Sequence, residues 1–165
     1  VYVAVLLQIV TAVVIVVLGA ALYQAGSHIN KTMAMIALCF YVFEAVLLVI
    51  SQLFVFTLVE VSHRFLATDN TMFLEIGDIL FILRKITSNI TIIPFGLGAI
   101  LFYYLIMKAK VIPKWLGLWG LVTVPFVLVG STLIAFGLSV PFALMIPYVP
   151  WEFFTGIYIL LKAHA

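Results

Sequence analysis

The chain has 165 residues, of which 67% are hydrophobic and only 8% charged, and its mean hydropathy is +1.37. Soluble domains carry charge on about a quarter of their residues and are about half apolar, so an ordinary soluble fold is excluded. Lys and Arg total 8 against 6 for Asp and Glu, and a net charge of +2 gives no footing for a nucleic-acid partner.

A membrane span needs about 20 apolar residues, so this length predicts an all-α, polytopic transmembrane helix bundle of about five spans plus one interfacial amphipathic helix, in a single domain over 1–165. The first span is predicted over Val1 to Tyr23, interrupted only by Gln8 and Thr11. It lacks a basic leader and a small-residue cleavage site, so it reads as a retained span, with something expected ahead of it. The loop Gln24 to Lys31 holds His28 and Asn30. A second span follows from Thr32 to Val59, long enough to tilt, with Glu44 near its middle. Glu60 to Asn70, carrying His63, Arg64 and Asp69, is the one extended polar region.

In Thr71 to Lys85, the residues Glu75, Asp78 and Lys85 share one helical face opposite Phe73, Ile76 and Leu80. That pattern predicts an interfacial helix, either lying on the membrane or running directly into the third span, Ile86 to Met107. A basic loop with Lys108, Lys110 and Lys114 leads to the fourth span, Trp115 to Phe136. The fifth is predicted over Pro141 to Leu161 and closes at Lys162. Cys39 stands alone inside an apolar run, which excludes a disulfide framework and a thiolate metal cluster.

Five spans put alternate loops on opposite sides of the bilayer. One side carries Lys31, Lys108, Lys110, Lys114 and Lys162 in short loops; the other carries Arg64, Arg84 and Lys85. Positive charge concentrates on the cytoplasmic side, so the lysine side and the C-terminus are expected to be cytoplasmic in an inner-membrane, multi-pass protein. Lys108, Lys110, Lys114 and Trp115 then sit at the lipid interface, with Tyr103, Tyr104 and Trp119 completing an aromatic belt.

Glu44 and Glu152 are the residues on which chemistry can rest. Each falls near mid-depth of its span with no Lys or Arg at that level, and an isolated carboxylate there costs about 2.5 kcal/mol or more. Both are therefore expected to face the bundle interior, protonated or strongly hydrogen-bonded, as a proton or cation site, an anchor for a ligand's hydroxyl or amine, or structural glue between helices. Pro147 and Pro150 predict a break just before Glu152, and interrupted helices of this kind build binding sites in transporters. Arg84 and Asn89 enter from the opposite face and are candidates for a polar vestibule leading toward the two acids.

Other chemistries find no residues. His28, His63 and His164 fall in different loops or the tail, so no pair can face across the bundle to hold haem, and no cofactor is expected. No His-Glu-x-x-His motif occurs and the acids are scattered singly, so no metal site is expected. No base shares a depth with Ser51, Ser88 or Ser131, which leaves an intramembrane enzyme the weakest of the readings.

The run Phe102-Tyr103-Tyr104-Leu105-Ile106-Met107-Lys108-Ala109-Lys110-Val111-Ile112-Pro113-Lys114-Trp115-Leu116-Gly117-Leu118-Trp119-Gly120-Leu121 resembles the signature of an uncharacterised prokaryotic membrane family, domain of unknown function 4386. Its members carry a similar tyrosine-rich helix end, a basic loop ending in Ile-Pro-Arg/Lys-Trp-Leu, and a glycine-bearing helix start. Pro147 to Glu152 and the ending Tyr158 to Ala163 resemble the family's proline, membrane glutamate and Leu-Leu-Val-Lys close. Phe43-Glu44-Ala45 resembles a Glu-Ala pair that follows an arginine by three residues; here that position is Tyr41. The resemblance implies a helical membrane fold, with an additional helix before Val1 and a cytoplasmic N-terminus, and implies no activity.

Two functions follow as expectations. The first is a small ligand-binding or transport-like bundle in which Glu44 and Glu152 converge on a polar pocket. The second is an accessory subunit of a larger membrane complex, with Gly96, Gly98 and Ala99 allowing close helix contact. The bilayer itself is a partner in both.

Overall fold

The long apolar runs fold into five α-helices: α1 Tyr2–Gly26, α2 Lys31–Thr68, α3 Met72–Lys108, α4 Lys114–Ala135 and α5 Tyr148–Ala163. This computed structural model describes residues 1–141, 143 and 145–163, with the side chains of Leu160 and Ala163 left aside, and no strand occurs among the described residues. His164, one of the three histidines weighed for haem, lies outside them, as do Phe142 and Leu144 of the expected fifth span. The all-α bundle anticipated from composition is what forms. Four helices are long and apolar enough to cross a membrane. With 16 residues, α5 is only about 24 Å long, short of a full hydrocarbon crossing.

Turn chemistry sets the helix ends. Asn30 begins α2 with extended backbone, and its side chain accepts from the Met33 amide at 3.0 Å. Asp69 ends α2 in the left-handed region at φ 51°, and Asn70 Oδ1 then accepts from the Met72 amide at 3.0 Å to start α3. At the end of α3, Lys110 takes φ 59°, the Val111 amide reaches back to Ile106 O at 2.9 Å, and the Lys110 amide reaches Met107 O at 3.2 Å. That pairing is a Schellman motif, which turns the basic loop sharply into α4.

Two helices run past the boundaries drawn from hydropathy. α2 continues through the polar stretch to Thr68, because nothing there breaks a helix and Glu60 pairs with Arg64 at 3.0 Å, one turn on. Thr71 to Lys85 forms no separate interfacial element: α3 is continuous through Lys85 and Ile86 over 37 residues. Pro94 and Pro125 lie inside α3 and α4 without ending them. The final segment differs most. Gly137, at φ 83°, ends α4, and among the described residues the next α-helix begins at Tyr148. Pro150 then falls in the first turn of α5, where its missing amide costs nothing.

α3 is the central helix. One face, with Ala99, Tyr103 and Ile106, packs on residues of α4 and α5; another, with Phe102 and Leu105, packs on Ala34, Ala37 and Tyr41 of α2. Ser51 and Ser88 share a hydrogen bond at 3.0 Å and fix the α2–α3 register, which places Glu44 level with Phe95. α1 buries only Val5, Ala12, Gly19 and Gly26, seven residues apart, and turns the rest of its apolar surface outward.

Close approach of α2 and α3 depends on Gly98. A Cβ built there would stand 2.7 Å from Cδ2 of Tyr41, whose ring also packs edge-on against Phe102 with centroids 5.1 Å apart. Gly98→Ala is expected to lower stability by about 1–3 kcal/mol, the usual cost of overpacking. Thermal unfolding in detergent would measure it, with an unchanged midpoint contradicting this packing.

Candidate functional site

The site begins with how α5 is held. Trp151 fits against Gly120 of α4, so closely that a Cβ at Gly120 would stand 2.6 Å from the indole, and its Nε1 donates to Leu116 O at 2.6 Å. Trp119 Nε1 donates to Pro147 O at 3.1 Å just ahead of α5. At the far end, Lys162 Nζ donates to the carbonyls of Lys110 and Val111 at 2.9 and 3.1 Å. α5 is thus fastened to α4 and to the basic loop. Toward α1, α2 and α3 no Cα of α5 comes within 8 Å among the described residues.

Large side chains bridge part of that gap. Tyr103 of α3 meets Trp151 with ring centroids 4.1 Å apart, and Phe95 meets Tyr148 edge-on at 5.8 Å. What they leave open is a cavity of about 380 Å³ between α1, α2, α3 and α5. Its walls include Tyr41, Glu44, Phe95, Tyr103, Trp151 and Glu152. The spacing of Tyr148, Trp151, Glu152, Thr155 and Ile159 puts them on one side of α5, while Phe153, Phe154, Ile157 and Leu161 are exposed on the other.

The two glutamates line the same cavity in unlike settings. Glu44 is 8% exposed, and its Oε2 is buried without a hydrogen-bond partner among the described residues. Glu152 is exposed, and its Oε1 accepts from Tyr148 Oη at 2.7 Å. Tyr148 Oη also lies 2.8 Å from Tyr103 Oη. A phenol has one proton, so with Tyr148 donating to Glu152, Tyr103 is the donor to Tyr148, and the chain of hydroxyls runs from α3 to the carboxyl group.

Thr155 adds a second orphan at this cavity. Seven helical threonines, Thr11, Thr57, Thr68, Thr87, Thr91, Thr123 and Thr132, donate their hydroxyls to the carbonyl four residues back. Thr155 Oγ1 does not, and it is buried with no partner among the described residues. Unpaired buried polar atoms are rare because each costs about 1–3 kcal/mol, and here the two residues that carry them line one cavity. Gly156 lines it as well. A Cβ at Gly156 would meet nothing within 4 Å, so no packing contact explains a residue that costs a helix about 1 kcal/mol relative to alanine.

Arg84 and Asn89 stand elsewhere. In the register set by Ser51 and Ser88, Arg84 lies level with Val55, about 16 Å along α2 from Glu44. It is exposed, Asn89 is half-buried, and neither lines the cavity. Trp115 is exposed beside Lys114, and Lys108, Lys110 and Lys114 surround a separate surface hollow at the turn. Tyr103 corrects the expectation of an aromatic belt: it is 6% exposed and bonded to Tyr148 in the bundle interior, because it shares the inward stripe of Ala99 and Ile106. Its neighbour Tyr104 faces outward under Lys108, whose Nζ lies 5.6 Å from the ring centroid. Sequence reasoning passed over Thr155 and Gly156. Their signal was the spacing from Glu152, which places all three on one helical face.

The residues that carry the family resemblance, Phe102 to Leu121, build the end of α3, the Schellman turn and the Gly117 and Gly120 notches of α4. The family model described as Domain of unknown function (DUF4386) matches residues 1–163. No curated protein and no solved structure matched the chain. With all but the last two residues covered, the chain belongs to the DUF4386 family.

Proposed function

We propose that this protein is a membrane-embedded, transport-like bundle that binds a small amphiphilic ligand in the cavity between α1, α2, α3 and α5. One observation carries the reading: Glu44 and Thr155, each with a buried polar atom that has no partner among the described residues, line together with Glu152 a space of about 380 Å³. Ligand sites are characteristically of this volume, mostly apolar, with a few converging polar groups. Gly156 supports it by keeping the α5 wall bare at a residue where an added Cβ would meet nothing within 4 Å.

The reading is testable with three probes that share one body: 4-phenylbutylamine, 4-phenylbutan-1-ol and 4-phenylbutyrate. At least one is expected to bind the protein in lipid nanodiscs above its partition into empty ones, by equilibrium dialysis. Gly156→Leu, which adds bulk at a lining position where a Cβ meets nothing within 4 Å, is expected to abolish that binding while leaving the unfolding midpoint unchanged or higher. Equal uptake by wild type and Gly156→Leu, or none by either, defeats the reading.

The same proposal includes orientation in an inner membrane. Lys108, Lys110, Lys114 and Lys162 gather at one end of the bundle, Lys162 bonded to the basic loop, and short lysine-rich loops favour the cytoplasmic side. In a Cys39→Ala background, Leu66→Cys, 77% exposed near the α2–α3 turn, is expected to react with an impermeant maleimide in intact cells. Lys110→Cys is expected to react only after permeabilisation, and the opposite pattern would invert the topology.

The accessory-subunit reading retains one supporting feature. The α2–α3 hairpin extends past the start of α1 and leaves a groove lined by Leu58, Val61, Phe65, Phe73 and Phe81. A stoichiometric second chain in native mass spectrometry of the solubilised protein would favour it.

A further inference from the structure

Resting on the binding reading above, we infer that the ligand is a lipophilic amine, an apolar molecule with one ammonium head, which enters sideways from the lipid between α1 and α5.

Charge is the first ground. The residues lining the cavity include two carboxyl groups and no Lys, Arg or His, and Arg84 lies about 16 Å away along the α2–α3 axis. In a low-dielectric space a carboxylate without a counter-charge is costly, so an empty site favours the protonated carboxyl and a cationic head supplies the counter-charge that lets it ionise. An anionic head would meet Glu44 and Glu152 with like charge.

Donor counting is the second. Glu44 Oε2 and the Thr155 hydroxyl lack partners among the described residues, and Glu152 engages Tyr148 through Oε1. As carboxylates the two glutamates only accept, and Thr155 can accept as well. A primary ammonium brings three donors to three such groups; an alcohol brings one. The walls suit the same head, since Tyr41, Phe95, Tyr103 and Trp151 offer ring faces that attract a cation.

Access is the third. Among the described residues no Cα of α1 lies within 8 Å of one in α5, although Thr11, Ile15 and Leu18 of α1 and Glu152, Gly156 and Ile159 of α5 line the one cavity. The cavity is therefore the seam between these helices, and the outer faces of both are apolar, with Val13, Val17, Phe153 and Ile157 exposed. A molecule dissolved in the bilayer reaches exposed Glu152 first and buried Glu44 behind it.

The test compares 4-phenylbutylamine with 4-phenylbutan-1-ol on the wild-type protein in nanodiscs, with empty nanodiscs subtracted. The amine is expected to bind at least about tenfold tighter than the alcohol, as a charge-assisted hydrogen bond allows. In Glu44→Gln and Glu152→Gln the preference is expected to shrink toward parity while alcohol binding persists, which also shows that the variants fold. Equal affinities in the wild type, or tighter binding of the alcohol, overturn the amine inference and leave the binding reading intact. Absence of saturable binding by either probe, and by 4-phenylbutyrate, overturns both.

Discussion

The placement of one indole governs the rest of the site. Trp151 occupies the notch at Gly120, and its Nε1 takes the carbonyl of Leu116, in the first turn of α4. Because α5 is fastened on that side, its opposite face is carried away from α1, α2 and α3, and only aromatic side chains reach across. A helix packed at the usual interaxial distance of 8–10 Å against all its neighbours would close the space. The cavity is thus a consequence of α5 being tied to one partner by hydrogen bonds and packing, not of a missing residue in the core.

That arrangement separates two roles among the polar groups. Tyr103, Tyr148 and Glu152 satisfy one another in a chain that crosses from α3 to α5, and so contribute to holding the helices together. Glu44 Oε2 and Thr155 Oγ1 satisfy nothing within the described residues, and so contribute nothing to that cohesion. Groups of the first kind explain how the fold tolerates polarity at depth; groups of the second kind call for something the chain does not itself supply.

Much of the fold was legible because hydrophobic length and charge placement are local properties. The positions of α1 and α4 follow from apolar runs bounded by the Asn30 cap region and the Pro113-Lys114 start. Helix ends beyond the apolar runs were harder to read. Polar residues at Glu60 to Thr68 resemble a loop by hydropathy, yet without Gly or Pro they extend the helix. The two acids could be picked out from cost alone, since a membrane-depth carboxylate demands a reason. Their convergence could not, because it depends on the register set by Ser51 and Ser88 and on the one-sided attachment of α5, both long-range contacts. Arg84 illustrates the converse: a vestibule leading from it toward the acids was open in the sequence, and the continuous α3 sets it about 16 Å along α2 from Glu44, outside the cavity lining.

The seam of α1 has a geometric outcome of its own. Its four inward residues shrink from Val5 through Ala12 to Gly19 and Gly26, with Gly26 against Leu105 and Gly19 against Leu38 and Tyr41. Distance between helix axes follows the bulk of the side chains where they meet, so the two glycines allow a close approach along the C-terminal half of α1. At Gly19 and Gly26 bare backbone meets α2 and α3, so a methyl group added at either would press on Leu38, Tyr41 or Leu105.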